Sequence, residues 1–269
     1  MQIFIRLIFT LKSFFKFFLS LKKDECLLAS LPRSGTWLTF GLLNVCYSIQ
    51  KGHRKDLSIN DTGYSTFLTL DKPLDHRSIF KKNEFPSLWH SHMPYNKILP
   101  LRKRFCKSIV LIRDPVDGII SWSMQLIHSK KLDYDKKLTI DGFKKIEKKY
   151  DLISHYKNFL KTWLKVKKER KKNNSKYEPI IIDINHIKKN PLNYLKFLNN
   201  FYNFGFLENQ MNSAVEEMDI NKVKSNSTSR TSRITNVKYI IENEIKDLIR
   251  SRCQEDYENI KKLVDHNLI

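Results

Sequence analysis

From Cys26 onward, short apolar runs alternate with longer segments whose apolar residues recur every three or four positions. The runs CLLASL (26–31), SLWHSH (87–92), KSIVLIRD (107–114) and EPIIIDI (178–184) predict strands. Between and after them, helices are predicted over WLTFGLLNVCYSI (37–49), over PVDGIISWSMQLIH (115–128) with its proline in the first turn, and over NPLNYLKFLNNFY (190–202). A long basic helix is expected over 139–172, and another fills the last 30 residues. Strand and helix patterns in alternation are the signature of an α/β chain with a mostly parallel sheet. Residues 52–85 read as a polar, irregular stretch of loops and short helices, and SNSTSRTSR (225–233) reads as a polar loop. There are no repeats and no linker, so residues 24–269 are expected to form one domain.

The first 23 residues follow a different pattern. Arg6, Thr10, Ser13, Lys16 and Ser20 recur at helical spacing and form one narrow polar stripe on a surface of Ile, Phe and Leu. Charges interrupt the run before it reaches the ~20 apolar residues a membrane span needs. No small-residue cleavage site follows, which argues against a signal peptide, and the same features argue against a Golgi-lumenal anchor. Residues 1–23 therefore read as an amphipathic basic helix. It lies in the plane of a membrane with its lysines at the headgroups, or it packs on protein. The expected location is cytoplasmic, peripheral on the inner face of the membrane.

Composition narrows the partners. The chain has 269 residues, 49 basic against 28 acidic, for a net charge of +21. Such a surface favours anionic ligands and membranes. Most of the basic residues are Lys rather than Arg, whereas nucleic-acid surfaces rely on Arg for bidentate contacts, so no nucleic-acid partner is expected. Glycine is scarce and Lys, Asn, Ile and Phe abundant, as in a chain from an AT-rich genome. The lysine run from Lys157 to Lys172 reads as a solvated helix face. Cys26, Cys46, Cys106 and Cys253 are far apart and read as free thiols in a reducing compartment.

Three segments carry candidate chemistry. P-R-S-G-T (32–36) joins the first strand to a helix, where backbone N–H groups and the helix N-terminus converge on an anion. Gly35 permits close approach, Ser34 and Thr36 add hydroxyls, and Arg33 adds a fixed charge. It is not a Walker A loop, because no G-x-x-x-x-G-K-[ST] is present. H-S-H-M-P (90–94) closes the second strand, placing His92 as a candidate general base with His90 two residues before it. Two histidines without a third ligand do not make a metal site, and no metal is expected. R-D-P-V-D-G-I-I-S (113–121) sets Arg113 at a strand end, where α/β sheets bind ligands, and Ser121 two turns into the next helix. Together they can grip a phosphate, unless Arg113 merely pairs with Asp114 or Asp117.

In this order, the three segments resemble the sulfotransferases that use 3′-phosphoadenosine 5′-phosphosulfate (PAPS). That family carries P-K-S-G-T-T-W, K-T-H-L-P and R-N-P-x-D-x-x-x-S; the likeness runs from about Cys26 to Ser123. The resemblance implies a three-layer, P-loop-like sandwich around a central, mostly parallel sheet of about five strands. It also implies PAPS as the sulfuryl donor and a hydroxyl or amine acceptor. Arg33 then matches the lysine at the 5′-phosphosulfate, and Ser34, Gly35 and Thr36 match its loop. Arg113 and Ser121 match the 3′-phosphate pair, and His92 matches the base. The chain departs from the pattern in several places. Arg33 replaces lysine, Trp37 comes one position early for the adenine-stacking tryptophan, His90 replaces the lysine of K-T-H, and Ile184 replaces the tyrosine of Y-E-D-M-K-E-N-P. The R-K-G loop is absent, with Arg230 its best positional match and Arg233 the next. Residues 52–85, 129–150 and 225–236 are the expected acceptor loops. The amphipathic start points to a glycan or lipid-linked acceptor. Two alternatives are a small-molecule kinase, which needs the missing Walker lysine, and a membrane- or anion-binding protein without turnover.

Overall fold

The computed structural model describes residues 25–50, 52, 68–69, 88–95, 105–130, 137–173, 175, 177–218 and 240–265. The amphipathic segment 1–23, most of 52–85, and Arg230 and Arg233 with their loop lie outside the described residues, as does the side chain of Trp37.

Five parallel strands form the central sheet: β1 (Glu25–Ser30), β2 (Leu68–Thr69), β3 (Leu88–Ser91), β4 (Phe105–Ile112) and β6 (Ile180–Asp183), in the order β2-β3-β1-β4-β6. Successive side chains on a strand point to opposite faces, and both faces here are apolar. Leu27, Ala29, Val110, Ile112 and Ile181 enter one core. Leu28, Ile109, Leu111 and Ile182 enter the other. This explains why the strands read as near-continuous apolar runs.

Helices cover each face. Helices α2 (Pro115–Lys130), α3 (Ile140–Tyr150), α4 (Leu152–Lys172) and α8 (Asn243–Lys261) pack on the first core, through residues such as Ile119, Phe143, Trp163 and Ile249. Helices α1 (Thr36–Gln50), α5 (Ile184–Lys189), α6 (Pro191–Tyr202) and α7 (Glu208–Glu217) pack on the second, through Leu42, Ile187, Leu195 and Met211. The result is the expected three-layer α/β sandwich. A short parallel pair, β5 (Lys137–Leu138) with β7 (Ile240–Ile241), was not foreseen, and neither was β2, inside a stretch expected to be loops and short helices.

The helix expected over 139–172 is two helices. Asp151 takes the left-handed conformation at φ 51° and ψ 47°, and its N–H closes α3 on the carbonyl of Glu147. Aspartate tolerates this geometry better than most residues. The Glu147 carboxylate then accepts from the N–H groups of Leu152 at 2.9 Å and Ile153 at 3.1 Å, so it caps the start of α4. A lysine-rich periodicity runs unbroken through such a corner, which is why the sequence pattern did not show it.

The reading of Lys157–Lys172 as a solvated face also needs correction at one position. Lys161, Lys165 and Lys168 are exposed, but Lys167 is only 4% exposed. Its ammonium meets Glu178 at 2.8 Å and Asp265 at 2.9 Å. Asp265 in turn accepts from the N–H of Ile181 and donates its own N–H to the Ile181 carbonyl, both at 3.0 Å. This satisfies backbone groups on β6, the edge strand. Lys167→Met leaves those carboxylates without their cation. We expect a stability loss of about 1–3 kcal/mol, read as a lower urea midpoint at unchanged m-value; an unchanged midpoint contradicts the role.

Candidate active site

The C-terminal ends of β1, β3 and β4 converge on the loop between β1 and α1. Within it, the N–H of Ser34 bonds the Leu31 carbonyl at 3.1 Å, and the Gly35 carbonyl accepts the first helical bond, from Thr39, at 2.9 Å. Two residues there have positive φ: Gly35 at 96° and Arg33 at 67°. The φ of 96° is what favours glycine at position 35, and a Cβ there would in addition lie 2.3 Å from Ile184 Cδ1, which would have to move. The left-handed state of Arg33 costs on the order of 1–3 kcal/mol and persists only where surrounding contacts enforce it.

Those contacts come from the other residues singled out in the sequence. Arg113 Nη1 donates to the Arg33 carbonyl at 2.8 Å, and Arg33 Nε donates to Ser121 Oγ at 3.1 Å. The loop and the β4–α2 corner are thereby locked together, with two guanidinium groups in one place. Arg113 is held from behind by Tyr156, whose buried hydroxyl donates to the Arg113 carbonyl. Burial pushes the Tyr156 phenol well above its ordinary range, so it stays a donor. The pairing of Arg113 with Asp117 does exist, but at 3.8 Å and with Asp117 63% exposed it is a weak restraint. Asp114 serves differently: its Oδ1 accepts from Val116 and Asp117 N–H groups and caps α2. Two buried polar atoms, Ser34 Oγ and Arg113 Nε, have no hydrogen-bond partner among the described residues. Buried orphans are costly, and acceptor oxygens on an anion bound in this corner would satisfy both.

His92 lies one residue past the end of β3 rather than inside it. Its Nδ1 is 2.7 Å from the carbonyl of Ser30, which accepts only, so Nδ1 carries a proton and, in the neutral ring, the lone pair is on Nε2. That is the tautomer a general base needs. The backbone of His92 is fixed by His155, whose Nε2 donates to the His92 carbonyl at 2.9 Å. His90 lies alongside, its ring centroid 4.3 Å from that of His92 at an interplanar angle of 87°. Burial, and then the proximity of His92, hold His90 well below the usual imidazole range, so it is neutral.

Sequence reasoning missed Ser30, His155, Tyr156 and Lys188. Ser30 acts through its carbonyl, which no side-chain pattern reveals, and His155 and Tyr156 reach the site from α4, far along the chain. Lys188 on α5 is held below the ordinary lysine range by partial burial and by the Arg113 charge, which places it in the field of the same corner. Burial pushes the thiols of Cys46 and Cys253 up to about 12, so neither is a thiolate nucleophile at neutral pH. Among the described residues, no three His, Cys, Asp or Glu side chains gather as metal ligands. Likewise among them, no helix is long and apolar enough to cross a membrane.

Residues 23–264 match the sulfotransferase domain family. No curated protein matches the chain by sequence. Among solved structures, retinol dehydratase in complex with androsterone and the inactive cofactor PAP is 14% identical with a TM-score of 0.59, over 93% of this chain and 85% of that one. The mouse sulfotransferase SULT7A1 complexed with PAP is 18% identical with a TM-score of 0.58, over 88% and 86% respectively. These likenesses establish a shared fold, the P-loop-like α/β sandwich.

The neutral state of His90 has a consequence for stability. Its folded pKa is depressed below 6.5, so below that pH the unfolded chain binds a proton that the folded one refuses. Stability therefore falls as pH drops from about 6.5 toward the folded pKa, by up to about 1.4 kcal/mol per pH unit from this group. His90→Gln removes that part of the slope in urea titrations across this window, and an unchanged slope contradicts the assignment.

Proposed function

The chain belongs to the sulfotransferase family, and on that premise we propose that it transfers a sulfuryl group from PAPS to a hydroxyl of a glycan or lipid-linked acceptor, with His92 as general base. The observation that carries the reading is the joining of Arg33, Arg113 and Ser121 in one corner, beside a histidine whose tautomer is set by Ser30. The donor in both similar structures is represented by PAP, and PAP has the two phosphates that such a corner and loop are suited to hold.

The residues of this chain divide the work. The N–H groups of the β1–α1 loop and the start of α1 face the 5′-phosphate, with Ser34 supplying a hydroxyl donor. Arg113 and Ser121 grip the 3′-phosphate, the group that separates this donor from ATP. The donor supplies the sulfuryl group, whose transfer demands little covalent participation from protein and much charge neutralisation. Arg33 stabilises the negative charge that builds on the bridging oxygen. A guanidinium keeps its proton at any working pH, so Arg33 acts as a fixed charge and not as a proton donor. Nε2 of His92 takes the proton of the acceptor hydroxyl as its oxygen attacks sulfur.

The acceptor reading draws on the sequence of residues 1–23 and on the apolar molecules, androsterone and retinol, held by retinol dehydratase. In this reading, the segment places the protein peripherally on an anionic cytoplasmic membrane surface. Removal of residues 1–22 is expected to release the protein from anionic vesicles in co-sedimentation; unchanged binding contradicts the membrane assignment.

Calorimetric titration with PAP, AMP and ATP tests the donor site. Wild type is expected to prefer PAP, and Arg113→Ala to lose most of that preference. Preference for ATP, or no nucleotide binding, contradicts the proposal. With ³⁵S-labelled PAPS and a panel of hydroxylated glycans and lipid-linked saccharides, His92→Ala is expected to lower turnover about 10²–10⁴-fold while PAP affinity changes little. Near-normal turnover in that variant overturns the base.

A further inference from the structure

We infer that His90 is a positioning residue of the transfer reaction: it fixes the ring of His92 and orders a chain of hydroxyl groups, through Ser30 to Thr36, at the mouth of the donor loop. The inference rests on the reading of His92 as the base. Its evidence is geometric. His90 is 4% exposed and lies between Phe40, at a centroid distance of 5.2 Å, and His92, at 4.3 Å, with both ring pairs close to perpendicular. Its Nε2 is 3.2 Å from Ser30 Oγ, and Ser30 Oγ is 2.5 Å from Thr36 Oγ1. Ser30 thus contacts both histidines, His90 through its hydroxyl and His92 through its carbonyl.

A phenyl ring would fill this space at no desolvation cost, so the polar atoms of His90 need a purpose. Each hydroxyl in the chain carries one proton, so the tautomer of His90 sets the direction of the whole chain. With the proton on Nε2, His90 donates to Ser30, Ser30 donates to Thr36, and the Thr36 proton is left to point out of the chain. Thr36 is the first residue of α1, at the helix end that favours anions. The chain therefore delivers one more donor to the 5′-phosphate while carrying no net charge. On the elements packed against His90, the described groups that face it are Ser30, Phe40 and His92, and His92 is the one ionisable group among them. Burial and the neighbouring His92 keep His90 from taking a second proton, so it does not compete with His92 for the acceptor's proton in the proposed reaction.

Nitrogen NMR of the ¹⁵N-labelled histidines tests this without an acceptor. Wild type is expected to show the Nδ1–H tautomer at His92 and the Nε2–H tautomer at His90. His90 protonated on Nδ1 reverses the chain, turns the Thr36 proton inward and overturns the inference. Two variants separate positioning from packing. His90→Gln, which can keep the bond to Ser30, is expected to retain the His92 shifts and PAP affinity within about threefold. His90→Phe, which keeps the ring volume, is expected to mix the His92 tautomers and weaken PAP about tenfold. The reverse order, with Phe harmless and Gln disruptive, means that His90 only packs. The His92 and His90 shifts need no ligand, so failure of wild type to bind PAP refutes the proposed function and leaves this measurement intact.

Discussion

The hydrogen bond from His92 Nδ1 to the carbonyl of Ser30, at 2.7 Å, connects the proposed base to the strand that launches the β1–α1 loop. Strand β1 lies at the centre of the sheet, between β3 and β4. Its final residue therefore sits where the ends of three strands meet, and everything that follows depends on its position. The loop after it must turn sharply, which favours glycine at position 35 and forces Arg33 into the left-handed region. That strained arginine is held by Arg113 and Ser121 from the β4 side. His92 is held from the β3 side. Movement of Ser30 by an ångström would shift the β1–α1 loop and His92 together, and in the proposed reaction positional errors of that size are costly.

Fixed charges dominate the corner. Two guanidinium groups face it, and Lys188 stands in the same field. By contrast, the position occupied by His90 is neutral and buried. The arrangement gathers permanent cations in the corner where the proposed donor's phosphates would lie, with His92 beside it. Tyr156, His155 and the Glu147 cap belong to the scaffolding of this design, since α4 starts at the corner Glu147 creates and carries both Tyr156 and His155 inward.

Much of this was legible in the sequence. The apolar runs located four of the five sheet strands, because strands buried on both faces tolerate few polar residues. The segments P-R-S-G-T, H-S-H-M-P and R-D-P-V-D-G-I-I-S meet at one corner, as their places after strands implied, because strand ends converge in a parallel sheet. Asp151 was not legible, since a left-handed aspartate leaves the lysine periodicity intact. Lys167 looked like its exposed neighbours, because its partners Glu178 and Asp265 are remote in sequence. The role of Ser30 is carried by a backbone atom that every residue possesses. Two-residue strands such as β2, β5 and β7 are too short to show a period.

The most direct measurement is a crystal structure of the chain with PAP bound. The account predicts the 5′-phosphate on the N–H groups of the loop from Arg33 to Thr36 and the 3′-phosphate against Arg113 and Ser121. A nucleotide seated away from the β1–α1 loop, or a 3′-phosphate that touches neither Arg113 nor Ser121, contradicts it.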